Sequence, residues 1–385
     1  YEERRGRKIP FTENDRRQIL EGLTGWTKKM KDVGCADQGF IVNSVLKYEN
    51  KLSSIYDHSF VDEVQDLGVL ELKLIRKITK IGENDLFLVG DRAQSILPKK
   101  SNLTLSGINH FFKKESLKLN YRNTKQVLEA AHQILINNLD DDLLNADHEL
   151  EISDPDFSER IGPKPGLLKS KNLLEEIAFT HAFATKRIKQ DPNLKICIVI
   201  CNYTNYELQN YSNKFDFEFL DGKKVLSEKS IFISDLEQSK GFEFDLMFIL
   251  NCNKDNLPPK DMPAEESYRI GCKLYVSMTR AKQELYLSYS SELSDWLNSQ
   301  SILEKLDVNQ EWHWHIDVDE HRSFLNNKEN SELMFVPQRL PEVIDKDEEI
   351  DEEELFSLNG KQFQYTSHAV GMEKRLLNFL ETLVN

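Results

Sequence analysis

Residues 57–66 read DHSFVDEVQD, a short apolar run, Ser59–Val61, that stops on two adjacent acids, Asp62 and Glu63. Carboxylates at a strand end suit an open α/β sheet, where ligands bind just beyond the carboxyl ends of the strands. One such carboxylate can hold Mg²⁺, directly or through water, and its neighbour can take a proton from an attacking water. The plainer alternative is a polar strand end that caps the next helix.

Working outward, Leu70, Leu74, Ile78 and Ile81 recur at helical spacing and predict a helix within 67–81. Residues 85–90, DLFLVG, predict a second strand, cut off by Gly90-Asp91 and followed by Arg92-Ala93-Gln94-Ser95-Ile96. A glutamine in such a turn can bond a phosphate oxygen or the attacking water. Upstream, residues 1–56 are polar and helical in pattern, with a break at 31–39. Downstream, Asn123 and Gln126 suggest a capping box for a helix whose apolar face is Val127, Leu128, Ala131, Ile134 and Leu135. Residues 140–165 read as a polar loop. Helices are then expected at 172–189, 205–214 and 265–281, and strands at 195–201 (KICIVIC), 230–234, 244–251 and 284–290. Strands alternating with helices imply parallel sheets covered on both faces. There are too many such units for one sheet, so the expected fold class is α/β with two parallel-sheet domains. After residue 300 the rhythm fails. There EWHWHI (311–316) reads as a strand with one packed aromatic face, and Leu376, Leu377, Leu380 and Leu383 as a short amphipathic face.

Composition narrows the function classes. The chain has 385 residues, 39% of them apolar, with 21 Phe, 12 Tyr and 4 Trp, enough for packed cores. Mean hydropathy is −0.54 and no apolar run approaches the ~18–20 residues of a membrane-spanning helix. The first residues, YEERRGRKIPF, hold no apolar segment of a secretory signal. The five cysteines are scattered and are expected to be reduced and mostly buried. Net charge is −15, which taken alone argues against a general nucleic-acid binder. The acid is unevenly spread: residues 345–354, DKDEEIDEEE, carry eight acids and one lysine and read as a solvated linker. Basic clusters stand elsewhere, at Arg4, Arg5, Arg7 and Lys8; at Lys28, Lys29 and Lys31; at Lys99 and Lys100; and at Lys113, Lys114 and Lys118.

Three further segments complete a set: Leu119-Asn120-Tyr121-Arg122-Asn123, Ser239-Lys240-Gly241-Phe242-Glu243-Phe244-Asp245, and Tyr275-Val276-Ser277-Met278-Thr279-Arg280-Ala281-Lys282. Each alone is weak. In this order, DEVQD, GDRAQSI, NYRN, SKGFEFD and YVSMTRAK resemble motifs II to VI of the UvrD/Rep/PcrA-like superfamily 1 DNA helicases, from about residue 57 to residue 290.

The resemblance implies two RecA-like domains and an ATP-dependent helicase or single-stranded DNA translocase. Its substrates would be ATP with Mg²⁺ and single-stranded or partly duplex DNA, in the cytoplasm. Asp62 would be the Mg²⁺ ligand and Glu63 the general base. Gln94 would sense the γ-phosphate and Arg122 would touch it. Tyr121 would pack on the adenine, Lys240 and Gly241 would border the nucleotide, and Glu243 would bind the ribose. Arg280 would be the arginine finger. The implied division is 1–56, a helical remnant of an insertion in the first domain; 57–118, part of the first RecA-like domain; 119–300, the second; and 301–385, an extension open to a protein partner.

Four departures from the family pattern matter. Leu97 and Pro98 stand where the family has Tyr and often Trp nearby, leaving Phe111 or Phe112 as substitutes for base stacking. Asp235 and Glu237 replace Thr and His. The residues between Asn123 and Ser239 are too few for a large inserted 2B domain. The phosphate-cradling G-x-x-x-x-G-K-[ST] is not among these residues, since Gly222-Lys223 and Gly360-Lys361 lack its preceding Gly and following Ser or Thr. That loop is expected from a preceding segment or from a separate chain, and the first domain is expected to be incomplete. The competing expectation is a non-catalytic helicase-like scaffold for DNA or protein docking.

Overall fold

The computed structural model describes residues 13–48, 52–97, 102–108, 119–138, 158–220, 230–260 and 264–326 as continuous runs, with single positions between them and two short strands near 355–364. The basic cluster at 4–8, Lys99, Lys100, Phe111, Phe112, Lys114, Lys118, Gly222-Lys223, the acidic run 345–354 and the amphipathic stretch 370–383 lie outside the described residues. The chain divides into two compact units. One comprises residues 1–57, 73–85 and 341–385, and the other residues 58–72 and 86–340.

In the first unit, α1 (Glu13–Asp32) and α2 (Gln38–Leu46) flank the expected break. Asp37 ends that break by capping α2, its carboxylate accepting the Phe40 N–H at 2.6 Å. Val42, Leu46 and Leu74 form its small core, with Val45, Leu52 and Ile78 packed alongside.

In the second unit, β1 (Ser59–Val61) and β2 (Leu86–Leu88) pair in parallel, Phe60 opposite Phe87. Helix α3 (Val69–Ile78) lies between them in sequence, with Val69–Leu72 in this unit and the rest in the first. Beneath β1 and β2, Val64, Leu72, Leu103 and Ile108 gather with Val61, Leu67, Leu86 and Leu88.

Six more strands make one parallel sheet: β3 (Gly166–Lys169), β4 (Ile196–Ile200), β5 (Glu218–Phe219), β6 (Ile231–Ser234), β7 (Phe244–Leu250) and β8 (Ala281–Tyr289), in the spatial order β3-β8-β7-β4-β6-β5. The KICIVIC run is its centre, and every residue of β4 is buried. Side chains of a strand alternate between faces. Cys197, Val199 and Cys201 therefore enter the core under α4 (Lys125–Asn137) and α7 (Ala264–Met278), while Ile196, Ile198 and Ile200 enter the core under α5 (Leu173–Gln190) and α6 (Asn205–Phe215). Continuous apolar runs are what a parallel sheet covered on both faces requires. The chain is thus α/β with parallel sheets, as its pattern implies.

Two local expectations are corrected. Asn123 and Gln126 form no capping box. The N-cap of α4 is Thr124, without a side-chain cap bond. The Asn123 amide instead donates to the carbonyls of Thr279 and Ala281, each at 2.7 Å, and Gln126 Oε1 accepts the Gly162 N–H. Residues 311–316 are not a strand. Trp312–Trp314 is a 3₁₀ turn between the short helix α8 (Gln300–Leu303) and α9 (Val318–Asn326). The buried pair is Trp312 and Ile316, four residues apart, while Trp314 stays 53% exposed. Helical spacing overrides the two-residue alternation because Trp312 packs edge-on to Phe179 and donates to Ser170 Oγ at 2.9 Å. Residues 301–326 thereby join the second unit's core rather than trailing from it.

Candidate functional site

The site lies within the second unit and is assembled from five separated segments. At the end of β1, Glu63 adopts a left-handed backbone, φ 53°, uncommon for a residue with a Cβ and often found where function demands it. Its N–H is held by Asp62 Oδ1 at 2.8 Å. Residues Val64–Asp66 then turn as a 3₁₀ helix that buries Val64 and Gln65.

Beyond β2, the backbone passes close to that turn. A Cβ added at Gly90 would lie 2.6 Å from Val64 Cγ1 and 2.7 Å from Gln65 Oε1, so only glycine fits. Gln65 bridges the two strand ends. Its Oε1 accepts the Asp91 N–H at 3.1 Å, and its Nε2 donates to Glu63 Oε2. Asp91 in turn accepts from Ala93 N and from Gln94 Nε2 at 2.9 Å. Burial pushes the Asp91 carboxyl above its ordinary range, opposed by these hydrogen bonds. Ala93, Ile96 and Leu97 pack into the core beneath α4 and α7, which fixes the turn that carries Gln94. Leu97 thus packs in the core rather than presenting a stacking face.

At the end of α7, Arg280 Nε donates to the Val276 carbonyl and an η-nitrogen donates to Gln94 Oε1 at 3.2 Å. Arg280 is buried. Desolvation, with Arg122 nearby, pulls its pKa down to about 10, so it remains a cation at neutral pH. Ahead of β7, Lys240 Nζ reaches Asp66 Oδ2 at 2.5 Å and Glu63 Oε2 at 3.4 Å. Gly241 follows at φ 89°, a conformation glycine adopts without strain. Glu243 Oε1 accepts from Arg122 Nε at 2.6 Å, with both side chains about two-fifths exposed. Tyr121, beside Arg122, is 71% exposed.

Glu63, Gln94, Arg280 and Lys240 are therefore linked through Gln65, Asp91 and Asp66. Arg122 and Glu243 form a separate pair, and Tyr121 presents a free ring face. The sequence reading passed over Gln65 and Asp91, and their long-range bonds leave no periodic trace. The acids at Asp235 and Glu237 are answered within the unit. Asp235 Oδ1 accepts the N–H groups of Glu237 and Gln238, each at 2.7 Å, and Glu237 pairs with Lys273 at 3.0 Å.

Among the described residues no group of three or more His, Cys, Asp or Glu could hold a metal. Asp62, a single hard carboxylate, fits Mg²⁺ of the kind that keeps waters and takes substrate phosphates as its other ligands.

Two family models match segments of the chain. A model of the UvrD/REP helicase N-terminal domain matches residues 11–98, and one of the UvrD-like helicase C-terminal domain matches residues 207–292. At both matched segments the chain is similar to the UvrD/Rep-like helicases. Relatives with this kinship include a probable DNA helicase II homolog of Mycoplasma capricolum, 28% identical over 182 residues, covering 46% of this chain and 23% of the relative. DNA helicase II of Haemophilus influenzae is 29% identical over 151 residues, covering 38% and 19%. An ATP-dependent helicase/nuclease of Lactobacillus acidophilus is 30% identical over 114 residues, covering 27% and 9%. The chain thus spans under a quarter of the length of these UvrD-like relatives. The C-terminal domain of a possible DNA helicase from Lactobacillus plantarum aligns with 50% of this chain and 99% of its own at 18% identity, with a TM-score of 0.34.

Proposed function

We propose that this site is the ATPase centre of a DNA helicase or single-stranded DNA translocase, in which ATP hydrolysis drives movement on single-stranded or partly duplex DNA. The observation that supports it is the convergence of Glu63, Gln94 and Arg280 from three distant segments into one hydrogen-bonded chain.

Glu63 takes the proton from the attacking water, a contribution worth ~10²–10⁴ in rate. Gln94 orients that water or a γ-phosphate oxygen, and Arg280 and Arg122 meet the charge that spreads over the transferring phosphoryl group. Tyr121 covers the adenine, and Lys240 and Gly241 border the nucleotide. Glu243 takes the ribose hydroxyls after parting from Arg122. Asp62 would hold Mg²⁺, which on binding neutralises phosphate charge.

The phosphates themselves need a nest of backbone N–H groups and a lysine, which no segment of residues 1–385 has the glycine spacing to form. A further segment, in cis or as a separate chain, supplies them in this proposal. The described geometry holds no feature specific to the scaffold alternative.

Steady-state ATPase with and without single-stranded DNA tests the reading. The 385 residues alone should show no DNA-stimulated turnover, and adding the loop-bearing segment should establish it. Turnover that stays absent with the loop present would leave the scaffold reading instead.

A further inference from the structure

Glu63 is half exposed, and an exposed glutamate samples many rotamers unless something fixes its carboxylate. A hydrogen-bond donor and an ion-pair partner converge on one oxygen of that carboxylate. Gln65 Nε2 meets Oε2 at 2.5 Å and Lys240 Nζ meets the same Oε2 at 3.4 Å. No hydrogen bond to Oε1 occurs among the described residues.

We propose that Gln65 and Lys240 are positioning residues that hold Oε2 of Glu63 and thereby present Oε1 to the attacking water. This rests on the reading of Glu63 as general base and adds how that base is aimed.

Each of the two is itself fixed. Gln65 is 2% exposed, its other end tied to the Asp91 N–H and its space set by the absent side chain of Gly90. It cannot rotate its Nε2 away without stranding a buried amide. Lys240 stands on a turn rooted by Ser239, which is fully buried and bonded to Ser277 Oγ at 3.1 Å. Its ammonium is held chiefly by Asp66, so it reaches Glu63 without following that side chain's motion. The turn that presents Lys240 continues through Gly241 to Glu243, the partner of Arg122. The aim of the base and the state of the nucleotide seat share one short segment.

A base that is present but badly aimed loses rate rather than binding, and a misplacement of about 1 Å can cost ~10²-fold. The test uses the ATPase-competent protein, with the phosphate-binding segment present. Lys240→Met, Lys240→Arg and Gln65→Met are assayed for kcat and KM of DNA-stimulated ATPase. Lys240→Met and Glu63→Gln are also combined. The expected result is a ~10–100-fold fall in kcat for Lys240→Met and Gln65→Met, with KM for ATP near wild type in Gln65→Met. Lys240→Arg should recover most of the rate. In the Glu63→Gln background Lys240→Met should cost almost nothing more, because residues acting as a unit are not additive. Lys240→Arg keeps the cation in place, so it reports on the position even if Gln65→Met folds poorly. An unchanged kcat in Lys240→Met overturns the inference, as does an equal loss in both backgrounds, or a raised KM with normal kcat. Glu63→Gln turning over ATP at the wild-type rate would instead remove the reading of Glu63 as base, and this inference with it.

Discussion

Arg280 donates to the side-chain oxygen of Gln94 at 3.2 Å across 186 positions of sequence. Both groups are assigned to the γ-phosphate in the proposed reading, and their bond holds the two side chains next to one another. The guanidinium stands ready, desolvated yet charged, and the glutamine amide occupies it.

Arg280→Ala and Arg122→Ala should each lose DNA-stimulated ATP hydrolysis. Single-stranded DNA binding without nucleotide should stay near wild type in both, because neither side chain is assigned to the DNA track. An arginine acting on a transferring phosphoryl group is worth ~10³–10⁵ in rate. Parallel ATPase and fluorescence-anisotropy titrations check this. Loss of DNA affinity with ATPase retained would take these residues out of the proposed ATPase centre.

Gly90→Ala should impair both folding and activity. Its new methyl would press on Val64 and on the Gln65 carboxamide, displacing the link between the ends of β1 and β2. Overpacking of this kind costs ~1–3 kcal/mol. Chemical denaturation reads the loss. A variant as stable and active as wild type would mean the two turns do not pack this closely.

Glu176 carries a pH-dependent share of stability. Its carboxyl is fully buried beside the Asn251 N–H, which it accepts at 2.9 Å, and burial pushes its pKa up against that bond. A carboxyl whose folded pKa is raised favours the fold in its neutral form. That contribution is complete below the unfolded value and is lost as pH rises through the folded one. Glu176→Gln keeps the shape without the charge. It should therefore melt higher than wild type in mildly alkaline buffer, and the gap should close on acidification to about pH 4, the unfolded range of glutamate. A gap that widens on acidification would reverse the assignment.

Trp312→Ala should cost ~3–5 kcal/mol, the usual range for emptying a buried tryptophan site. Its indole fills the core against Phe179 and satisfies Ser170. Trp314→Ala, at an exposed position two residues on, should change stability little. Equal effects would restore the alternating strand in place of the turn.

Much of the fold was legible in the sequence because it is written in local periodicity. The run Ile196–Ile200 is apolar at every position and is buried at every position. The helix after Thr124 shows its face through Val127, Leu128, Ala131, Ile134 and Leu135, all buried. What periodicity could not carry was partnership. Asn123 looks like a cap because its neighbours suit one, but its amide serves carbonyls 156 and 158 residues away. Trp312 alternates with His313 in sequence, yet its burial follows Ile316, because the surface waiting for it was built by α5. For the site, the acids and basic side chains of the motifs stand out in sequence. Gln65 and Asp91 do not, because their importance lies in the single bond between them. Lys240 could be picked out from its motif, but its grip on Asp66 and Glu63 could not.

The most direct test of the account is Glu63→Gln in the ATPase-competent protein, measured side by side for ATP binding and for single-turnover hydrolysis on single-stranded DNA. The account predicts binding close to wild type and a hydrolysis rate lowered by at least ~10²-fold, since only the proton acceptor is removed. Wild-type hydrolysis in that variant would contradict it and would take Glu63, and the chain of bonds built around it, out of the mechanism.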